Sequence, residues 1–177
     1  MSRLYLVTPQ PPLHILPGAA FATFTAYQDI SPKPDIKIPA NLLEPGTGIE
    51  LLAQGHFSNT GTPTLSVGFY WGAVGVPLGQ SALITTTTAA AAWPWRLYYR
   101  GRVRTVGTAG TIYGQGEFTL GTSLTAITVQ STPVTQALRT SAIDTSIEKI
   151  LGVGAQWGTS SASNSITTEF LSCWITS

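Results

Sequence analysis

Counting by two along TLSVGFYW (64–71) puts Leu65, Val67, Phe69 and Trp71 on one side and Ser66, Gly68 and Tyr70 on the other. Period-two alternation is the mark of a strand with one face on a core. The same beat recurs along the chain. GIELLAQGHF (48–57) aligns Leu51, Ala53, Gly55 and Phe57. TIYGQGEFTL (111–120) sets Ile112, Phe118 and Leu120 against Tyr113, Gln115, Glu117 and Thr119. KILGVGAQWG (149–158) sets Leu151, Val153, Ala155 and Trp157 against Ile150, Gly152, Gly154 and Gln156, and SITTEFLSCWIT (165–176) puts Ile166, Phe170 and Trp174 on one parity. Turn-formers separate these runs: SNTGTP (58–63), VGTAG (106–110), LGTS (120–123) and GTSSASNS (158–165).

No segment has the pattern of a full-length helix. TTTTAAAAWPW (85–95) comes nearest, but four threonines precede the alanines and Pro94 follows, so a turn or two of helix and an irregular loop both fit. Many short strands with polar turns predict an all-β protein, an antiparallel sandwich or barrel, over residues 49–177. Residues 1–48 differ. PQPPLHILPG, SPKPDIKIP and LLEPGTG are dense in proline, which suits neither helix interiors nor central strands. This segment reads as an extended Pro-rich N-terminal arm or edge region, with a short strand within FATFTAY (21–27). Phe21, Phe24 and Tyr27 call for burial, which argues against a free linker.

Composition narrows the function classes. Only 10% of the 177 residues are charged, where about 25% is ordinary, while 43% are hydrophobic. No apolar run approaches the roughly 20 residues of a membrane-spanning helix. The opening MSRLYLVTPQPPLHILPG is broken by prolines too early for a secretory signal. Net charge is +1, giving no bulk pull toward nucleic acid or anionic membrane. The lone Cys173, within EFLSCWIT, reads as a small buried hydrophobe in a chain able to fold in a reducing cytoplasm.

Catalytic signatures are missing from the sequence. His14 and His56 have no ligand partner at metal-binding spacing. No G-x-S-x-G elbow or matched triad is present, GVGAQWG (152–158) lacks phosphate-loop spacing, and no motif pairs the eight carboxylates. The expectation is a non-enzymatic protein without cofactor or metal.

One charge feature stands out. In WRLYYRGRVR (95–104), Arg96, Tyr98, Arg100, Arg102 and Arg104 share one strand face, opposite Leu97, Tyr99 and Val103. Four of the nine basic residues stand on this ribbon. It reads either as a contact surface for acidic groups of a neighbour or as a solvated face that discourages edge pairing. Nucleic acid is disfavoured by the small net charge. Trp93, Trp95, Tyr98 and Tyr99 crowd the same region, as sugar-stacking or interface anchors would.

The phrases FSNTGTPTLSVGFYWG (57–72), AAAAWPWRL (89–97), GTAGTIYGQGEF (107–118) and AIDTSIEKILGVGAQWGTSSASNSIT (142–167) together resemble structural proteins of tailed bacteriophages, especially those of actinobacteria. AQWGTSSASNSIT is the most specific part. The resemblance covers residues from about 50 to the end. It implies a β-sandwich of jelly-roll type that forms homotrimers and decorates, or cements, the capsid exterior after synthesis in the host cytoplasm. The implied partner is the major capsid protein, with neither nucleic acid nor membrane insertion. The arm would clamp capsid subunits through Leu13, Ile15, Phe21 and Phe24, and the ribbon Arg96–Arg104 would meet acidic neighbours. The alternative is a minor tail or baseplate protein that binds a host-surface glycan on Trp93, Trp95 and Tyr98.

Overall fold

The computed structural model describes residues 17, 18, 20–123 and 125–176. Within them the chain is almost entirely strand. The proline-rich segment supplies three short strands, β1 (Phe21–Ala22), β2 (Gln28–Asp29) and β3 (Ile36–Ile38). The alternating runs supply β4 (Gly48–Ser58), β5 (Thr64–Trp71), β7 (Trp93–Thr105), β8 (Gly110–Gly121), β11 (Lys149–Trp157) and β12 (Ser165–Thr176). Shorter pieces are β6 (Ile84–Thr85), β9 (Ile127–Thr132) and β10 (Thr140–Ile143), the last preceded by a 3-10 turn at Gln136–Arg139. Among the described residues no helix is long and apolar enough to cross a membrane.

Two antiparallel sheets form a sandwich. The larger runs β1-β12-β4-β7-β8-β10, with β9 sharing the outer edge of β8, and the smaller runs β2-β11-β5-β6, with β3 continuing β2 along β11. The inward parities meet between them. Phe57 of β4 packs on Trp157 of β11 with ring centroids 6.5 Å apart, and Phe69 of β5 meets Tyr99 of β7 edge-on at 6.5 Å. The inward residues read from sequence on β4, β5, β8 and β11 are all core: Leu51, Ala53, Phe57, Leu65, Val67, Phe69, Trp71, Ile112, Phe118, Leu120, Leu151, Val153, Ala155 and Trp157.

The last strand departs from its simple parity. Thr168 pairs with Gly55 and Phe170 with Gln54, so Glu169 is an extra residue in a β-bulge. Beyond the bulge the two faces exchange. Leu171 is buried, and Cys173 and Ile175 pack on the core. Phe170 and Trp174, which the uninterrupted count places with Ile166, turn to the outside, where Trp174 is 38% exposed.

Within the segment 85–95, residues 86–92 form an irregular loop between β6 and β7. Asn59 decides this: its Nδ2 donates to Thr86 Oγ1 at 2.7 Å and to the Thr87 carbonyl at 2.8 Å, while its Oδ1 accepts from Ala90 N at 2.9 Å. Ala89 and Ala92 adopt positive φ, at 57° and 52°, which a helix excludes.

The described part of the proline-rich segment lies on the chain's own sandwich. Phe21 pairs with Ile166 on the larger sheet, Gln28 and Asp29 pair with β11 on the smaller one, and Ile30 is fully buried. Tyr27 lies across the outside of the smaller sheet. Cβ atoms built at Gly154 and Gly68 would fall 2.4 Å and 2.6 Å from it, so those strands carry glycine where the ring approaches. Beside it Ser31 Oγ accepts from Val153 N at 2.8 Å. Both faces of the smaller sheet are therefore covered, which is why β5 is buried along nearly its whole length.

Burial gives the fold an alkaline limit. Burial, helped by the Tyr70 phenol, raises the Tyr27 pKa; burial also raises that of Tyr99 and, with the Asp29 carboxylate, pushes Tyr70 up to about 12. Once unfolded, each phenol would titrate near 10.0. A raised folded pKa means stability is intact below the unfolded value and is lost as pH rises toward the folded one. Between pH 10 and 12 Tyr70 removes about 1.4 kcal/mol per pH unit, and Tyr27 and Tyr99 act in the same direction. The expected result is joint appearance of phenolate absorbance and loss of the sheet circular dichroism signal. If all phenols ionise near pH 10 while the sheet signal persists, the burial argument fails.

Candidate functional site

The outer face of the larger sheet carries most of the chain's surface chemistry. It is built from cross-strand rows. Trp174, Glu50, Arg100 and Gln115 form one row across β12, β4, β7 and β8; Ser172, Leu52, Tyr98 and Glu117 form the next. Arg100 Nε lies 3.0 Å from Glu50 Oε1, an ion pair directly across the ladder. Arg96 Nη2 reaches Glu117 Oε1 diagonally at 2.8 Å. Arg104 is the extra residue of a bulge between Val103 and Thr105, and its guanidinium lies over the Tyr113 ring, 4.4 Å from the centroid.

Arg102 is exposed and, among the described residues, has neither the acidic partner of Arg96 and Arg100 nor the aromatic ring of Arg104. The register explains this: its neighbour on β4 is Gly48, which has no side chain to answer it, and its neighbour on β8 is Tyr113, whose ring carries Arg104. A groove of about 830 Å³ opens here, lined by Glu50, Tyr98, Arg100, Arg102, Tyr113 and Arg139, among others. A second depression, about 380 Å³, lies at the other end of β7 beside Pro94, Arg96 and His56, where His56 Nδ1 lies 3.2 Å from Glu169 Oε1.

The remaining candidates separate cleanly. Leu13 and Ile15 lie outside the described residues. Phe21 and Phe24 are half-buried, pack edge-to-face at 6.4 Å and rest against the chain's own core. Trp93 is half-buried against that core too. Trp95 is only 2% exposed and its Nε1 donates to the Thr167 carbonyl at 3.1 Å, so it is a core residue and not a surface platform. The reason is parity: Trp93, Trp95, Leu97 and Tyr99 share the inward face of β7, and the ladder with β4 runs through Pro94, opposite His56, to Trp93, opposite Phe57. Tyr98, on the outward parity, is half-buried within the arginine groove.

No protein-family model, curated protein or solved structure matches this chain. The surface itself therefore carries the functional reading. Among the described residues no three His, Cys, Asp or Glu side chains gather as a metal site would require. Cys173 rests against the core, where burial pushes its thiol up to about 12.

Two functional features have no sequence signature. Arg139 stands in the short turn before β10, and β10 pairs Thr140 with Tyr113, which delivers Arg139 to the groove beside Gly114. The strand β9 exposes Ile127 and Val129, at 64% and 56%, along the same side of the sheet. Neither ITVQST (127–132) nor TQALRT (135–140) tells which side of the sheet its residues will reach, because both acquire their position from pairing with β8.

Proposed function

We propose that this chain is a non-enzymatic structural protein of a tailed-bacteriophage virion, a capsid decoration protein that binds the assembled shell as a homotrimer. The observation that carries the reading is the outer face of the larger sheet. Four exposed arginines, one of them over the Tyr113 ring, share it with exposed Val129, Ile127 and Trp174. Arginine with apolar and aromatic side chains is the composition of protein contact surfaces. The phage-like phrases of the sequence supply the setting, and the major capsid protein is the partner this reading names.

A jelly-roll origin suits the topology. Consecutive strands β4 and β5 sit in different sheets, and each is antiparallel to one of the consecutive strands β12 and β11. Binding only the assembled shell would stabilise it by mass action. The clamping role belongs, in this reading, to the part of the proline-rich segment before β1, since Phe21 and Phe24 are engaged on the sandwich. The glycan-binding tail alternative is weaker, because Trp95 is buried.

Immunogold labelling of purified particles tests the placement. Label spread over the head is expected; label confined to the tail, or absent, overturns the proposal. A monomeric mass in solution would remove the trimer. Arg100→Glu combined with Arg102→Glu is expected to abolish particle binding while changing unfolding free energy by no more than about 1 kcal/mol, because exposed ion pairs contribute that little. A large loss of stability in the free protein would make these arginines structural instead.

A further inference from the structure

We infer that the groove between Arg102 and Arg139 binds a side-chain carboxylate of an extended, apolar-acidic peptide segment of the partner protein. The inference deepens the assembly reading by naming what the arginine face recognises, and it rests on that reading for the partner being a protein.

Local charge leads there. Five charged residues line the groove: Glu50, Arg100, Arg102, Glu117 and Arg139. Arg100 is answered by Glu50, and Glu117 is answered by Arg96 at the rim. Arg102 and Arg139 are left without an ion pair among the described residues. Arg139 carries a further sign of incompleteness: its Nε is buried and has no hydrogen-bond partner among the described residues. A buried N–H donor of this kind is costly unless an acceptor hydrogen-bonds to it.

The two groups converge. Arg102 on β7 and Thr140 on β10 both pair with Tyr113 of β8, one from each side. Arg139, next to Thr140, therefore stands two strand spacings from Arg102, about 10 Å between backbones. Both side chains line one groove, within reach of a single group seated above Tyr113 and Gly114. A guanidinium binds a carboxylate through two parallel N–H donors, and Tyr98 and Gln115 offer further donors in the same groove.

The occupant follows from what else lines the wall. Glu50 and Glu117 would repel a polyanion that presents a phosphate at every step, which disfavours nucleic acid. Val129, 56% exposed, lines the β9 side, so the ligand needs apolar side chains beside its acid.

Fluorescence anisotropy on the isolated full-length chain tests this. The probe is a short labelled peptide with one glutamate flanked by valines; the comparisons are the same peptide with glutamine, an oligothymidylate and inorganic phosphate as competitor. Binding of the glutamate peptide that weakens with added salt, and falls about tenfold or more in Arg102→Ala and again in Arg139→Gln, is expected. Equal binding of the glutamine peptide, stronger binding of the oligothymidylate, full displacement by millimolar phosphate, or affinity unchanged in Arg102→Ala would each overturn it. Arg102 is exposed, so that variant stays informative even where Arg139→Gln perturbs folding. Particle labelling is read separately: head label without peptide binding leaves the virion assignment standing and removes only this inference.

Discussion

Trp157→Ala is expected to lower the unfolding free energy by about 3–5 kcal/mol, the cost of emptying a large aromatic site in a packed core. Trp157 has no exposed surface, packs on Phe57 at 6.5 Å and ends β11 opposite Leu65, where the two sheets are held together. Domains of this size have about 5–15 kcal/mol to lose, so the variant should sit close to unfolding at room temperature. Conservative replacements sharpen the test. Trp157 Nε1 has no hydrogen-bond partner among the described residues, whereas Trp95 Nε1 donates to the Thr167 carbonyl at 3.1 Å. Trp157→Phe therefore loses volume alone. Trp95→Phe loses volume and also strands a buried carbonyl, a further cost of about 1–3 kcal/mol. Urea unfolding followed by circular dichroism should rank Trp95→Phe as the more damaging of the two. The reverse order, or a Trp157→Ala cost below about 1 kcal/mol, would mean that these rings do not join the sheets.

Gly55→Ala is expected to destabilise by about 1–3 kcal/mol, as overpacking against an unyielding neighbour does. A Cβ at this position would fall 1.9 Å from the Thr167 carbonyl oxygen and 2.9 Å from its carbon. Both are backbone atoms of β12, at the bulge that Gly55 faces. Relief requires either parting β4 from β12 or moving the bulge. Moving it would reverse the strand beyond, bringing Phe170 and Trp174 inward and exposing Cys173, because a one-residue slip exchanges the two faces. Thiol labelling separates these outcomes. Slow labelling with lowered stability means a strained but native register, and fast labelling means slippage. Gly75→Ala serves as the control: nothing lies within 4 Å of its would-be Cβ, so a change within about 0.5 kcal/mol is expected. Equal stability of Gly55→Ala and the parent would show that the bulge does not depend on that approach.

The groove was only half visible beforehand. Arg96, Tyr98, Arg100, Arg102 and Arg104 could be grouped by counting along one strand. Which of them is already satisfied could not. Glu50 lies 50 residues from Arg100 in sequence and directly beside it in the ladder, and the same ladder leaves Arg102 facing a glycine. Arg139 enters from a turn with no periodicity. Trp95 was grouped as a surface candidate with the aromatics crowded around it, whereas β7 runs through Pro94 and holds Trp95 on the inward parity.

Amino-acid order determined what depends on neighbours in the chain: alternation made strands, glycine and hydroxyl clusters made turns, and inward parity chose most of the core. Those signals are local because a strand's two faces are set by successive side chains. Tertiary structure alone decided what depends on the opposite strand. It placed the bulge at Glu169 that exchanges the two faces of β12, laid Tyr27 on glycines of β5 and β11, and left two of the three guanidinium groups around one groove without an ion pair among the described residues. Pairing partners lie tens of residues apart, and no count along a single strand contains them.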